Sequence, residues 1–253
     1  MFPRSDLAHF RAEFRWLQQA SGDARDLDVH VLEFDSMRAL VPEAMRSDLD
    51  PLLDVLQARR VRAHRRLVSA LRSERATSLL SAWGKFLDGL EAGPETDRPD
   101  AARPIGVVAG ERIRKVYRQM VRMGDAIDGS SPAEDYHELR KKGKELRYLL
   151  ELFGSGSGGG LYPSEVIKPM IRTLKALQDV LGRHQDREVQ VALLRSLGPD
   201  VAKAPEGEAA LMAMGMLIDR LGVDEAAARG EFADRFAAFA AKDQRHLVKA
   251  TFG

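Results

Sequence analysis

No cysteine occurs among the 253 residues. That absence excludes disulfides, thiol catalysis and cysteine-ligated zinc or iron–sulfur centres, and it fits a reducing cytoplasm. Long apolar runs are missing as well: none approaches the roughly 20 residues that a membrane span needs. The start, Met1-Phe2-Pro3-Arg4, lacks the basic and then apolar pattern of a signal peptide. Aromatic residues are only 6% of the chain, low for a β-sandwich. Net charge is nearly absent, with 39 Lys and Arg against 38 Asp and Glu. Taken whole, that balance speaks against a polyanion partner. What is present is a 44% hydrophobic fraction, enough to bury a core and to exclude wholesale disorder. Ala, Leu, Arg and Glu, all good helix formers, are abundant.

The charge balance hides a segregation. Segments 57–75, 112–122 and 137–148 together hold seventeen basic residues and three acids, a net of +14, so the remainder carries −13. The acids gather at 88–100 and 200–234.

Apolar residues recur with helical period almost throughout. Phe10, Phe14 and Leu17 mark one helix. Residues 52–90 read as one long helix or two in close succession. Further helices follow around Ile113–Val121, Leu139–Phe153 and Ile171–Leu181, and two Ala-rich ones around 209–221 and 224–247. No alternating strand pattern is found. Residues 92–104, with three prolines, read as a linker, and the Gly/Ser-rich stretch 154–163 as a mobile loop. Ser130-Ser131-Pro132 supplies an N-cap and a first-turn proline for the helix carrying His137. An internal repeat appears at an offset of 160: Leu17, Gln18, Gly22, Asp26 and Val29 match Leu177, Gln178, Gly182, Asp186 and Val189. Each copy reads as a helix, a glycine-containing turn and an acid-started helix.

On the helix through 137–153, His137, Arg140, Lys141, Lys144, Arg147 and Tyr148 share one face, with Leu139, Gly143, Leu146, Leu150 and Phe153 opposite. Cations so placed repel one another unless an anion answers them. Other cationic rows accompany this one: Arg59, Arg62 and Arg66, whose helix has Val61, Val68 and Leu71 as its apolar side; Lys115 and Arg118 with Arg122; Lys168, Arg172 and Lys175; and Arg11 with Arg15. Several such rows on packed helices predict a shared basic groove for a linear polyanion, held by Arg forks and Lys heads.

The run His137-Glu138-Leu139-Arg140-Lys141-Lys142-Gly143-Lys144-Glu145-Leu146-Arg147-Tyr148 resembles the signature helix of the CHAD (conserved histidine α-helical domain) family. Leu174 to Gln178 with Leu181, Gly182 and Asp186 is similar to the family's next element, and Ala24 to Val29 to its first-half counterpart. The resemblance implies an all-α fold of two pseudo-symmetric helical-bundle halves of antiparallel helices around a basic central groove. The whole of 1–253 would be one such domain: 1–91 the first half, 92–104 the linker and 105–253 the second half. It also implies non-catalytic binding of inorganic polyphosphate, with His137, Arg140, Lys141, Lys144 and Arg147 as leading contacts. Lys168, Arg172 and Lys175 come next, then their first-half counterparts Arg11 and Arg15. Arg25 and Asp26 match the family as a structural bridge or cap. The family's usual first-half His/Arg-rich helix falls, by the repeat offset, 23 residues ahead of Met1. Partner helices or a second copy of the chain would then cover the face that it covers in relatives.

Rival readings leave fewer traces. No Glu-x-Glu-x-Lys strand of a triphosphate-tunnel enzyme occurs, nor a Gly-rich phosphate loop. His184 and Asp186 are the only approach to a metal-dependent phosphohydrolase, so no metal, cofactor or catalytic residue is expected. His64 reads as a packed core residue, as do Met212, Met214 and Met216. A nucleic-acid partner shares the electrostatics, but only Tyr117 and Tyr148 stand near the stripes for base stacking. Nucleic acid or another polyanion, or an accessory role in phosphate metabolism, stays open as the alternative. The expected setting is a bacterial cytoplasm, with targeting to polyphosphate granules as one use of the groove.

Overall fold

The computed structural model describes residues 4–89, 102–154 and 160–253. Among these residues every regular element is helical: α1 (Arg4–Leu32), α2 (Phe34–Arg38), α3 (Asp50–Leu71), α4 (Glu74–Asp88), α5 (Ile105–Asp125), α6 (Ala133–Gly154), α7 (Ser164–Val201), α8 (Gly207–Phe239) and α9 (Lys242–Phe252), with two 3-10 turns between α2 and α3. The expected linker lies largely outside the described residues, and so does the centre of the expected Gly/Ser-rich loop.

Two compact units divide the chain. One is Met1–Ala102 with Leu193–Arg220, the other Arg103–Ala192 with Leu221–Gly253.

In the first unit, α1 packs mainly on α3, and Ala24, Leu27, Leu52, Leu56 and Ala63 are buried. Asp28 on α1 accepts from Arg60 and from His64, the latter at 2.9 and 3.0 Å. Arg75 at the start of α4 grips Glu13 through two bonds of 2.7 and 2.9 Å and lies over the Trp16 ring at 4.2 Å. That guanidinium holds the Glu13 carboxyl below its ordinary value. Within the stretch expected as one helix or two, the described residues form two, α3 and α4. Ser73 breaks them with extended backbone and accepts from the Ala76 amide as an N-cap.

The second unit has one continuous core, from Ile113, Val116 and Met120 on α5 through Leu139, Leu146 and Leu150 on α6 to Leu174 and Leu177 on α7. Phe232, Phe236 and Phe239 on α8 join it. The Tyr117 hydroxyl donates to the Phe239 carbonyl at 3.0 Å, and burial pushes the phenol up to about 12. Phe236 lies so close to Gly124 that a Cβ there would run into its ring.

Five expectations are corrected. Gly22 and Gly182 are not turns: α1 and α7 run unbroken through them, so Asp26 and Asp186 lie within helices and are not caps. A glycine inside a helix costs only about 1 kcal/mol relative to alanine, which continued packing on both sides outweighs. The Ala-rich stretch is one helix to Phe239, and its break falls at Ala240-Ala241, not near residue 222. Val61, Val68 and Leu71 are about half exposed and are not the core side of α3; Leu52, Leu56 and Ala63 are. His64 is not a core residue but is partly exposed beside Asp28. Of the three methionines Met214 is buried, whereas Met212 is exposed. In addition, the Ser131 hydroxyl accepts from the Asp128 amide at 3.0 Å and so serves the turn before α6.

Gly124→Ala should destabilise the chain by about 1–3 kcal/mol, because the added methyl must displace the Phe236 ring. Denaturant unfolding measures this, with Gly215→Ala, inside α8 and with nothing within 4 Å of its Cβ, as the control that should instead stabilise by up to about 1 kcal/mol.

Candidate functional site

Helix α6 turns Tyr136, Leu139, Gly143, Leu146 and Leu150 inward. The chain reverses before α7, and the two helices run antiparallel. Gly154 abuts Ile167, Gly143 lies against Gln178, Gly182 lies beneath Arg140, and His137 Nδ1 is 2.6 Å from Gln185 Oε1. Of the three glycines only Gly154 is required by a close approach, since a Cβ there would run into the Ile167 side chain; at Gly143 and Gly182 a Cβ would meet its neighbours at ordinary contact distance. With the apolar face so engaged, the cationic stripe predicted on α6 runs along the α6–α7 seam, with Lys141 exposed and His137, Arg140, Lys144 and Arg147 half-buried.

The stripe is partly answered from within. Lys141 pairs with Glu138, and Lys142 and Arg112 pair with Glu145. Burial works to raise the Glu145 carboxyl, but its two cations hold it below its ordinary value. Lys141 does the same to Glu138. Arg140 and Arg147 are held more loosely. Their nearest acids are Asp186 at 3.8 Å and Glu151 at 3.7 Å, and Arg147 Nε has no hydrogen-bond partner. On α7, Lys168, Arg172 and Lys175 are exposed, and no ion pair holds them among the described residues. The antiparallel register sets this row beside the Arg147 end of the stripe.

The remaining predicted residues fall elsewhere. Lys115 and Arg118 lie on the flank of α5 that faces α9, away from Arg112 and its α6 partner. In the first unit, Arg11 and Arg15 line a hollow of about 360 Å³ with Phe14 and Trp83. Arg59 bonds to the Ser196 hydroxyl and carbonyl and to Asp200, each at 3.2 Å. Arg66 reaches Asp23 at 3.2 Å, while Arg62 is exposed without an ion pair among the described residues.

His184 is a packed residue. Only 1% exposed, it stacks on Tyr136 with ring centroids 4.6 Å apart and puts Nε2 2.8 Å from Glu225. Arg229, 3.3 Å from His184 Nε2, also lies over the Tyr136 ring and bonds to the Ser131 carbonyl at 3.0 Å. Among the described residues, no group of three or more His, Cys, Asp or Glu is placed to hold a metal ion, and no helix is long and apolar enough to cross a membrane.

The family model for the CHAD domain matches residues 1–195, the span that carries α1 through most of α7. This chain belongs to the CHAD domain family. Two uncharacterized proteins from two strains of Mycobacterium tuberculosis are each 30% identical to it over 181 residues. The alignment takes in 70% of this chain and 32% of each relative, so the chain spans about a third of their length. The CHAD match covers the α6 stripe and the α7 row. It stops before α8 and α9.

Sequence reasoning missed Arg245 and Lys249. They stand one turn apart on α9 beside Val248, a short basic amphipathic pattern that was there to be read. It also missed that Gln185 and Asp186, across on α7, hold His137 and Arg140.

Burial first, and then Arg229, push His184 below the ordinary imidazole value, against the opposing pull of Glu225 and Glu188. The unfolded chain therefore takes up this proton first as pH falls, and stability is lost below about pH 6.5. Unfolding midpoints should fall between pH 7.5 and 5.5, and His184→Gln should flatten that fall.

Proposed function

We propose that the second unit binds inorganic polyphosphate, without catalysing a reaction on it, along the α6 stripe and the α7 row. The observation that carries this reading is the antiparallel α6–α7 pair. It turns one apolar face of α6 inward and so lines up His137, Arg140, Lys141, Lys144 and Arg147 along the seam with α7, half-buried except for the exposed Lys141. Lys168, Arg172 and Lys175 continue the row on the neighbouring helix. A linear polyanion suits such a row because its charges recur at short intervals and need no pocket. Arg140 and Arg147, whose acids lie 3.7–3.8 Å away, can exchange a loose ion pair for charge-assisted bonds to phosphate oxygens. Membership of the CHAD family supports the same reading.

One point favours polyphosphate over nucleic acid. Base stacking needs exposed aromatic faces. Tyr117 is buried and bonded through its hydroxyl, which leaves Tyr148, 57% exposed, as the one tyrosine on the stripe open to a base. In the first unit, Arg11, Arg15 and Arg62 are separate exposed cations for the same ligand, whereas Arg59 and Arg66 are engaged by acids. Attachment to polyphosphate granules in the cytoplasm is the biological use this reading favours.

The test is competition between long-chain polyphosphate and single- and double-stranded oligonucleotides at two salt concentrations. Tighter binding of polyphosphate per charge is expected, and equal affinity per charge for all three would sink the reading. Lys141→Ala with Lys144→Ala should weaken polyphosphate binding roughly tenfold, equivalent to about 1.4 kcal/mol. The double variant should also reduce the slope of log affinity against log salt by roughly 0.7 per lost contact, the single-strand value.

A further inference from the structure

Helices α5 and α9 enclose a cleft of about 860 Å³ within the second unit. Six cations line it: Arg114, Lys115, Arg118 and Arg122 from α5, and Arg245 and Lys249 from α9. Only two acids share the lining, and both are occupied. Glu111 takes Arg103 at 2.6 Å, and Asp125 lies 3.7 Å from Arg245. Arg245 is further tied by Nε to the Ala240 carbonyl at 2.6 Å. The other five cations have no ion pair among the described residues. Arg114 Nε is shielded from solvent with no hydrogen-bond acceptor, a condition that native structures avoid unless something else supplies the acceptor.

The contrast with α6 is informative. There, each cation described above has an acid or a polar partner within reach. Here, five like charges converge on one hollow, repelling each other, over a floor that includes Val121 and Val248. Surface solvation favours charges spread apart, so this convergence calls for a compact counter-charge. The volume falls within the range of small-molecule pockets, roughly 300–1,000 Å³. Three arginines offer the planar fork that matches phosphate oxygens two at a time. Arg245 and Lys249 lie beyond residue 195, outside the segment that the family match covers.

We propose that the α5–α9 cleft is a separate binding site for a compact oligophosphate, a short run of linked phosphoryl groups seated between Arg114, Arg118, Arg122 and Lys249. The site does not depend on the α6–α7 row and works whether or not long polyphosphate binds there.

Calorimetric titration of the full chain with inorganic tripolyphosphate tests it, with orthophosphate as the comparison. Tripolyphosphate should bind at least tenfold tighter than orthophosphate, and Arg118→Gln with Arg122→Gln should cost at least tenfold. Lys141→Ala with Lys144→Ala, which weakens the α6 stripe, should leave tripolyphosphate binding within twofold. A parallel titration with adenosine triphosphate tells the sources apart: weaker binding than tripolyphosphate assigns an inorganic chain, and tighter binding assigns the phosphate tail of a nucleotide. If the arginine pair fails to fold by circular dichroism, Lys115→Gln with Lys249→Gln takes its place, with the same expected loss. Unchanged tripolyphosphate affinity in the folded cleft variant overturns the proposal. So does an equal loss in the α6 variant, which would place the short ligand on the stripe. Loss of long-chain binding in the α6 variant alone bears only on the polyphosphate reading, so the two can fail separately.

Discussion

Helix α6 packs along α7 from His137 beside Gln185 to Gly154 against Ile167, where a Cβ would collide with the isoleucine side chain. Gly143 and Gly182 lie between, each in ordinary contact with the helix opposite. This packing leaves Leu139, Leu146 and Leu150 fully buried on one side of α6. Because a helix has a fixed angular period, burying one side dictates what the other side shows. The cationic stripe lies off the core, along the seam with α7, because the leucines point inward. Tyr136, stacked on His184 beneath Arg229, secures the start of the same helix, and Gly154 against Ile167 secures its end. Loosening either end would rotate the charges together with the apolar face.

Charge in this chain is organised at two levels. Along the sequence, three basic segments are offset by acids elsewhere. In space, many of those acids return as partners: Glu145 to Arg112 and Lys142, Asp28 to Arg60, Glu13 to Arg75, Asp200 to Arg59. These pairs are partly or fully exposed, so each contributes little to stability. Their larger effect is to decide which cations are left for a ligand. After the pairing, what stands out is the α7 row, the loosely held arginines of α6 and the cluster facing α9. A count of basic residues does not anticipate that selection.

Much of the fold was legible because helices bury stripes, and stripes recur every three to four residues. The cores of α5, α6 and α7 follow from Ile113, Leu146 and Leu174 and their neighbours. The repeat was legible too, and it marks matched positions inside α1 and α7. Its glycines were misread, since a glycine next to an acid resembles a turn and a cap in sequence. Only packing tells whether the backbone bends there or a neighbour comes close. Val61, Val68 and Leu71 were misread for a related reason. Helix α3 carries apolar residues on more than one side, and the side it buries is the one with Leu52, Leu56 and Ala63, with Asp28 meeting Arg60 and His64 at its edge. In the stretch through 209–247, alanines allow a helix almost anywhere, so its end was poorly specified locally.

The sequence by itself determined the all-helical class, the face of α6 that carries charge, the family and the absence of thiol chemistry. Each of these depends on residue type and local spacing, which survive without knowledge of the neighbours. The tertiary structure decided the rest: that α7 continues the α6 row, that His184 is packed under Tyr136, and that Arg114, Arg118 and Arg122 meet Arg245 and Lys249 across a cleft. Residues more than a hundred positions apart meet there because helices fold back on one another. Which cations remain unpaired depends on every acid that folding brings near, and no local pattern encodes that sum.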